Sequence, residues 1–338
     1  MLNQLTRRDF MRASAFTVGA AALTSGMSTM TGKLRAEEAT PSYKTQLKIG
    51  FIVGAINDDQ MAHIAEIGAD GVETTVWDID VDKAREARKI AEANNVKIHS
   101  VMRAWTNFNQ PDSVVADIES VKRALRAAAA YGASTILLVP CRTGVAAPAP
   151  WDFQIEYDPE TLLVSKVCEG DNEPYQEYIK QQNIATEVTY RCMEELIPVA
   201  AYEGVTIGLE NVWNGLWCTP QFYSDFVRSI GSVWVKEYFD LGNHVKYART
   251  EDWLLAGGGA TITKLHIKDF LFDKDKPSGG EFVPIGKGFI DWKSVRDTIE
   301  QIGYNGFVTL ESGGYTDEQH VQIFKNFFNG VPVLNGVE

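Results

Sequence analysis

Four acidic or imidazole side chains each follow a short apolar run in the second half of the chain. They are Glu210, Asp240, His266 and Glu311. If the runs are parallel strands of one barrel, their carboxyl ends share one rim and bring these side chains together. Three carboxylates at that distance repel one another unless a cation lies between them. The donor set of oxygens with one nitrogen favours Mn²⁺, with Mg²⁺, Co²⁺ or Zn²⁺ as alternatives.

The apolar runs recur along the whole body of the chain and alternate with amphipathic stretches. They are short and rich in Val, Ile and Leu, which is typical of strands buried on both faces. The predicted strands are 47–53, 71–75, 96–102, 135–139, 206–210, 235–240, 262–267 and 306–311, and the clearest predicted helices are 82–94, 111–131, 178–202 and 291–302. This alternation predicts a single-domain α/β fold, a (β/α)8 TIM barrel over residues 41–338. A doubly wound open sheet is the alternative, but the first strand lacks the glycine-rich phosphate loop expected there.

One connection is too long for an ordinary loop between a strand and a helix. Residues 140–174 are rich in Pro, Tyr, Trp and acids and lie between the fourth and fifth predicted strands. We expect this insertion to fold over the barrel mouth as a lid, or to form a contact between subunits. A homo-oligomer is therefore left open.

The N-terminal segment carries a targeting pattern. Thr6-Arg7-Arg8-Asp9-Phe10-Met11 precedes an apolar stretch rich in small residues over 13–23, which is too short to span a bilayer. The pattern resembles a twin-arginine export signal. We therefore expect residues 1–40 to be a signal peptide and linker, read by the twin-arginine export machinery, and the mature protein to be periplasmic or extracytoplasmic.

Composition excludes several classes of partner. The chain of 338 residues carries a net charge of −13, which repels nucleic acid unless a basic patch overrides it, and no Lys/Arg-rich run lies in its body. The four cysteines have no C-x-x-C spacing, so a thiolate metal site is not expected. Outside the N-terminal segment no stretch is apolar enough to predict a stable membrane span.

Five motifs identify a resemblance to a known family. They are I-G-L-E-N at 207–211, F-D-L-G-N-H at 239–244, L-H-I-K-D at 265–269, V-P-I-G-K-G-F-I-D-W at 283–292 and G-Y-N-G-F-V-T-L-E at 303–311. In this order they resemble the sugar phosphate isomerase/epimerase family of the xylose-isomerase-like TIM-barrel superfamily, over about residues 47–328. The resemblance implies that Glu210, Asp240, His266 and Glu311 are metal ligands. It also implies that Glu210 and Glu311 move protons.

Further residues are candidates for substrate binding. Family members often place a substrate-contacting His three residues after the strand-six Asp; here Asn243 is at that position and His244 follows it. Where some relatives use an Arg after the strand-seven His, this chain offers Lys268 or Asp269. Glu73 at the end of strand two either binds substrate hydroxyls or braces the barrel. Trp105, after strand three, could pack on the apolar face of a sugar.

The expected activity is that of a divalent-metal-dependent sugar isomerase or epimerase. A carboxylate would remove a proton from a free ketose or aldose, and the reaction would pass through an enediolate. The same carbanion could expel a leaving group, so a lyase or hydratase acting on 3-keto sugars or glycosides is an alternative. A non-catalytic sugar-binding barrel is the other alternative.

Overall fold

The computed structural model describes residues 42–337, and it contains both strand-forming and helical segments in regular alternation. The strands are β1 (Leu47–Val53), β2 (Gly71–Thr74), β3 (Lys97–Trp105), β4 (Thr135–Val139), β5 (Phe153–Tyr157), β6 (Val164–Cys168), β7 (Thr206–Glu210), β8 (Val235–Asp240), β9 (Ile262–Ile267), β10 (Asp269–Phe272), β11 (Gly280–Val283) and β12 (Gly306–Leu310). The helices are α1 (Asp58–Glu66), α2 (Val81–Ala93), α3 (Val114–Tyr131), α4 (Gln176–Glu203), α5 (Pro220–Ser229), α6 (Thr250–Gly257), α7 (Trp292–Ile302) and α8 (Asp317–Phe328).

Eight of the strands close into a parallel barrel in the order β1-β12-β9-β8-β7-β4-β3-β2. The predicted single-domain TIM barrel is thus confirmed, and β1, β4, β7, β8 and β9 have the predicted bounds. β3 differs, because it continues to Trp105 through an irregularity at Ala104, which has a φ of 57°. Gly132 and Gly204 end α3 and α4 in the left-handed conformation at φ 71° and 67°, which is a common way for a helix to end.

The barrel wall is buried because helices cover its outer face. Val72, Ile136, Ile207 and Leu265 on four different strands have no solvent exposure. Burying an aliphatic side chain of this size stabilises the fold by about 1.5–3 kcal/mol. This apolar wall holds the ends of the strands in fixed positions, so side chains at those ends have defined relative geometry.

Two antiparallel hairpins supplement the barrel. β10 and β11 pair immediately after β9, and β5 and β6 pair within residues 140–174. The insertion packs on α5, since the Tyr157 ring stacks on Phe222 at 4.5 Å and its hydroxyl donates to Asp225 at 2.7 Å. Trp151, just before β5, meets Phe272 on β10 edge-on at 5.9 Å, so the insertion contacts the β10–β11 hairpin. The lid role of this insertion stays a prediction.

The export signal predicted at 1–40 lies outside the described residues. Within the described part of the chain, no helix combines the length and apolarity needed to cross a membrane. The four cysteine thiols are buried and unpaired.

Candidate metal centre

Adjacent strands bring the four predicted ligand residues together. β12, β9, β8 and β7 are consecutive in the barrel, and Asp240 pairs in register with His266. Glu210 ends β7, and Glu311 directly follows β12. One ligand atom from each of these four side chains lies within 4.8 Å of all the others. The carboxyl ends of the strands therefore form a single cluster, which we call the carboxylate–His266 cluster.

The hydrogen bonding of the Asp240 carboxylate indicates whether a cation fits this cluster. Its Oδ1 accepts the backbone N–H groups of Gly242 at 2.8 Å and Asn243 at 2.6 Å. Its Oδ2 is buried and accepts no hydrogen bond, although Nζ of Lys268 lies 3.4 Å away. A buried carboxylate oxygen that accepts no hydrogen bond is costly. A divalent ion held by Glu210, Asp240, His266 and Glu311 would satisfy it, so the donor set fits a metal.

His266 presents a defined ring nitrogen to the cluster. Its Nδ1 lies 2.9 Å from Oε2 of Glu311 and 3.9 Å from Oε1 of Glu210. Its Nε2 lies 2.6 Å from Oε2 of Glu73, which is fully buried and also accepts the hydroxyl of Ser100 at 2.9 Å. A carboxylate on the far nitrogen orients an imidazole and leaves the near nitrogen for a metal. Glu73 thus contacts the imidazole from inside the barrel.

Lys268 adds a fixed positive charge beside the same carboxylates. Its Nζ lies 3.0 Å from Oε2 of Glu311 and 3.4 Å from Oδ2 of Asp240. Burial alone would lower the pKa of Lys268, but the carboxylates, Asp240 foremost, raise it. The ammonium therefore stays charged and partly offsets the repulsion between the carboxylates.

The carboxylates of the cluster differ in their electrostatic surroundings. Burial, with the nearby charge of Glu311, raises the pKa of Glu210 to about 8. Burial also acts to raise the pKa of Glu311, but the hydrogen bond and charge of His266, together with Lys268, outweigh it and lower that pKa to about 2. Burial raises the pKa of Asp240. Burial and the neighbouring charges therefore shift the pKa values of the two glutamates in opposite directions.

Two of the predicted substrate-binding residues lie in the loop after β8. The side-chain amide of Asn243 donates to the carbonyl of Asn211 at 2.9 Å and to Oε1 of Glu210 at 3.3 Å, so it lies beside the cluster. His244 is packed instead: its Nε2 lies 3.1 Å from the carbonyl of Val212, and its ring lies 4.6 Å from that of Trp253. Burial lowers the pKa of His244 to about 3, so this imidazole is neutral.

The carboxylate of Asp269 accepts hydrogen bonds from the loop that follows β11. Its Oδ2 accepts the backbone N–H groups of Gly286 and Gly288 and the indole N–H of Trp292, at 2.8, 3.0 and 3.2 Å. Its Oδ1 accepts the N–H of Phe270 at 2.8 Å. Four N–H groups donate to this one carboxylate, so Asp269 anchors the loop. Of the two adjacent candidates Lys268 and Asp269, it is Lys268 that faces the cluster.

Aromatic side chains stand on both sides of the barrel mouth. Trp105 packs with the apolar group of Leu137, Val139 and Tyr238, and the ring of Tyr238 lies 4.7 Å from that of His266. Across the mouth, sequence reasoning missed Phe282 on β11. The strands of this hairpin are too short for an alternating hydrophobic pattern to identify them. The signal available in the sequence was a Phe soon after the L-H-I-K-D motif.

Asn211 was also missed as a supporting residue. Its side-chain amide donates to the carbonyl of Asp240 at 2.9 Å, and its Oδ1 accepts the N–H of Asp240 at 2.6 Å. This reciprocal pair ties the end of β7 to the end of β8. The Glu-Asn dipeptide at the strand end was the available signal.

Similar proteins include sugar epimerases. The L-ribulose-5-phosphate 3-epimerase UlaE of Salmonella paratyphi A is 26% identical over 145 residues, or 43% of this chain and 49% of that protein. The aligned region thus spans about half the length of the curated relatives. A D-tagatose 3-epimerase-like protein has a TM-score of 0.62 at 19% identity, covering 86% of this chain and 100% of the other.

Other solved structures share the fold. The D-allulose 3-epimerase from Methylomonas sp., solved in complex with D-allulose, has a TM-score of 0.55 at 18% identity and covers 81% of this chain and 86% of the other. At these identities the likeness concerns the fold alone. A family model described as xylose isomerase-like TIM barrel matches residues 61–325. Because that match covers most of the chain, this protein belongs to the xylose isomerase-like TIM barrel family.

Proposed function

We propose that this protein is a divalent-metal-dependent sugar isomerase or epimerase that acts on a free ketose or aldose. The observation that carries the proposal is the convergence of Glu210, Asp240, His266 and Glu311, whose ligand atoms lie within 4.8 Å of one another at the barrel mouth. The sugar epimerases among its relatives support the same class of reaction. Mn²⁺ is the ion we expect from the donor set.

The chemistry divides between the ion and the side chains. A bound divalent ion would polarise the carbonyl and the adjacent hydroxyl of the sugar and acidify the C–H of the hydroxyl-bearing carbon next to the carbonyl. Glu210 or Glu311 would then remove that proton, and the other glutamate, carrying a proton, would return one to the opposite face. This sequence gives an epimer, whereas return to the neighbouring carbon through the enediolate gives an isomer. Proton transfer by a positioned carboxylate contributes typically about 10²–10⁴-fold.

Two neighbouring groups would hold the substrate in place. The ammonium of Lys268, 3.0 Å from Glu311, would bind a sugar oxygen that gains negative charge in the enediolate. The side-chain amide of Asn243, 3.3 Å from Glu210, would donate to a hydroxyl on the other side. Both groups are buried and already positioned, so little ordering is required when substrate binds.

The first experiment measures the metal. Elemental analysis of the purified protein should find about one divalent ion per chain, since a cluster of this size has room for one. The Glu311→Gln variant should lose most of it. Glu281→Gln is the matched control, because Glu281 lies on β11 and pairs at the surface with Lys276. A wild-type protein that stays free of metal after incubation with Mn²⁺ would remove the basis of the proposal.

The second experiment measures proton transfer. Free ketoses and aldoses are incubated in deuterated buffer, and exchange at carbon is followed by NMR. Glu210→Gln and Glu311→Gln should each slow exchange at least 100-fold, and Glu281→Gln should not. Release of a leaving group from a 3-keto glycoside, without exchange in free sugars, would assign the site to a lyase. Sugar binding that survives both substitutions, with no wild-type turnover, would assign it to a binding protein.

We also infer export, on the strength of the pattern Thr6-Arg7-Arg8-Asp9-Phe10 alone. Replacing Arg7 and Arg8 together by Lys in the full chain should retain the protein in the cytoplasm. Cell fractionation measures this directly. Equal periplasmic amounts of the two proteins would contradict the inference.

A further inference from the structure

Three lysine residues lie at the N-terminal end of the barrel, opposite the carboxylate–His266 cluster. They are Lys48 on β1, Lys97 on β3 and Lys264 on β9, and we call them the lysine group. Each lies at or near the start of its strand, whereas the members of the cluster lie at or just beyond strand ends. The whole chain carries a net charge of −13, so this group of cations is a local exception.

The ring of Phe307 on β12 brings two of these ammonium groups together. Phe307 pairs in register with Lys48 on β1. The next pair along β12 and β9 is Val308 with Leu265, so Phe307 also lies level with Lys264. The Nζ atoms of Lys48 and Lys264 lie 5.6 and 5.4 Å from the centroid of the Phe307 ring. Both ammonium groups are therefore placed beside one aromatic side chain.

Other residues hold the Phe307 ring in position. His99 stacks on it at 4.0 Å with an interplanar angle of 14°, and Nε2 of His99 lies 3.2 Å from Oγ1 of Thr309. A Cβ on Gly71 would lie 2.8 Å from the ring and 2.3 Å from the carbonyl oxygen of Lys97, with which Gly71 pairs in register. The ring is thus fixed, and the third lysine begins next to it.

Lys264 is a buried cation without an acceptor. Only 8% of its surface is accessible, and among the residues that the structure describes it has neither a hydrogen-bond acceptor nor an ion-pair partner. Burial lowers the pKa of Lys264 to about 8; the charge of Glu73 opposes this shift, and the charges of Lys97 and Lys48 add to it. Burial of an unpaired charge is costly, and nearby like charges increase the cost. An anion bound against Lys264 would remove both penalties.

The other two lysines are open to solvent. Lys48 and Lys97 are exposed. The ammonium of Lys97 donates to the carbonyl of Gly132 at 2.5 Å, and an ammonium has further N–H groups to offer a ligand. Lys48 has no acceptor in the described part of the chain. A ligand that approaches this end of the barrel would therefore meet one buried and two exposed ammonium groups.

We propose that the lysine group binds a small oxyanion of the phosphate type, with Lys264 as the central ligand and Lys48 and Lys97 beside it. Lysine is a common phosphate ligand, and three cations suit a group that carries about two negative charges near neutral pH. β1, β3 and β9 are not neighbours in the barrel, so one ion would connect three separate strands. The site would stabilise the closed barrel, and it does not depend on the proposed function.

Calorimetric titration of the full-chain protein with inorganic phosphate tests the site. Lys264→Met should weaken binding at least about tenfold, as expected for loss of a charge-assisted contact. Lys48→Met should weaken it about threefold or more, because its ammonium is better solvated. Lys89→Met is the matched control, since it removes the same charge from a lysine that pairs with Glu86 at the surface of α2. This control should keep wild-type affinity.

A further variant separates the two ends of the barrel. Phosphate could also bind a metal ion at the carboxylate–His266 cluster, but Glu311→Gln should then lose phosphate affinity, whereas binding at the lysine group leaves it unchanged. Urea unfolding gives an independent readout, because a ligand that binds only the folded state raises its stability. Phosphate should raise the free energy of unfolding of the wild type and of Lys89→Met, and have less effect on Lys48→Met and Lys264→Met.

A second titration identifies the source of the phosphate group. Tighter binding of glycerol phosphate than of inorganic phosphate would identify a phosphate monoester as the ligand, and the reverse would identify the free ion. Three results would overturn the site: no binding of either compound to the wild type at millimolar concentration, equal weakening by Lys89→Met and Lys48→Met, and loss of binding in Glu311→Gln with retention in Lys264→Met. If Lys264→Met does not fold, the comparison of Lys48→Met with Lys89→Met decides.

Discussion

The carboxylate of Glu73 lies 2.6 Å from Nε2 of His266, although 193 residues separate them in the chain. Neither side chain is exposed to solvent. Glu73 is on β2, which β1 and β12 separate from β9 in the closed barrel, so the two residues meet across the barrel interior and not between neighbouring strands. Because Nε2 is engaged in this way, Nδ1 is the nitrogen that faces Glu311 and Glu210.

Glu73→Gln should weaken metal binding. The amide cannot supply the negative charge that makes His266 a better ligand, and loss of such partners typically weakens affinity about 10–100-fold. Titration calorimetry with Mn²⁺ measures the change. Glu237→Gln is the control, since Glu237 is equally buried but bonds to Ser224. The same dissociation constant in wild type and Glu73→Gln would show that Glu73 only fills space.

Lys268→Met should destabilise the metal-free protein more than the metal-loaded one. Removing one partner of a buried charged pair typically costs about 3–5 kcal/mol. The pair of Lys268 with Asp240 is buried, and the partly exposed Glu311 loses a cation as well. A bound divalent ion would restore much of the lost charge. Urea unfolding with chelator and with Mn²⁺ compares the two states. Lys293→Met, which breaks an exposed pair with Asp297, should change either by less than about 1 kcal/mol. Equal losses in both states for Lys268→Met would contradict the prediction.

Glu237 should give the protein a pH-dependent stability away from the cluster. Burial raises the pKa of Glu237 from 4.5 to about 7. The folded protein then keeps a proton that the unfolded chain releases, so this residue's contribution to the free energy of unfolding falls as pH rises from about 4.5 to about 7.

Each pKa unit corresponds to about 1.4 kcal/mol, so the loss attributable to Glu237 is on the order of 3 kcal/mol. Urea unfolding of wild type and Glu237→Gln at a series of pH values gives the difference between their stabilities. That difference should shift in favour of the variant with rising pH. A difference that stays constant across the window would show that Glu237 does not titrate there.

Gly288→Ala should disturb the loop that Asp269 anchors. A Cβ at this position would lie 2.0 Å from Oδ1 of Asp269 and 2.7 Å from the carbonyl of Phe270. Overpacking of this kind typically destabilises by about 1–3 kcal/mol. Gly313→Ala is the control, because a Cβ there has no neighbour within 4 Å. Thermal unfolding of both variants checks the contrast, and equal melting temperatures would contradict it.

The fold and the cluster could be predicted because both depend on short-range patterns. Strands buried on both faces are marked by Val, Ile and Leu, and helices by their caps, so the bounds of β7, β8 and β9 follow from the chain alone. Side chains at the C-terminal ends of barrel strands lie on one rim of the barrel, so Glu210 and His266 could be assigned to that rim from the sequence. The metal itself, and the roles of the four residues, stay predictions.

The remaining features depend on contacts between distant parts of the chain. Glu73 could not be assigned because its partner, His266, is 193 residues away. Lys268 and Asp269 are adjacent in sequence, yet one faces the carboxylates and the other the loop at 286–292. His244 follows Asn243 directly but turns into aromatic packing. No local sequence pattern predicts the direction in which the side chains of such adjacent residues point.

The barrel order also sets when this centre can exist during synthesis. The ribosome makes Glu73 early, but β12, which closes the barrel against β1, comes almost last, and Glu311 follows it. A nascent chain in which β12 has not yet been synthesised has neither a closed barrel wall nor a complete set of predicted ligands. The strand that closes the barrel thus also carries the last of the four predicted ligands to the rim, so the complete cluster requires a closed barrel.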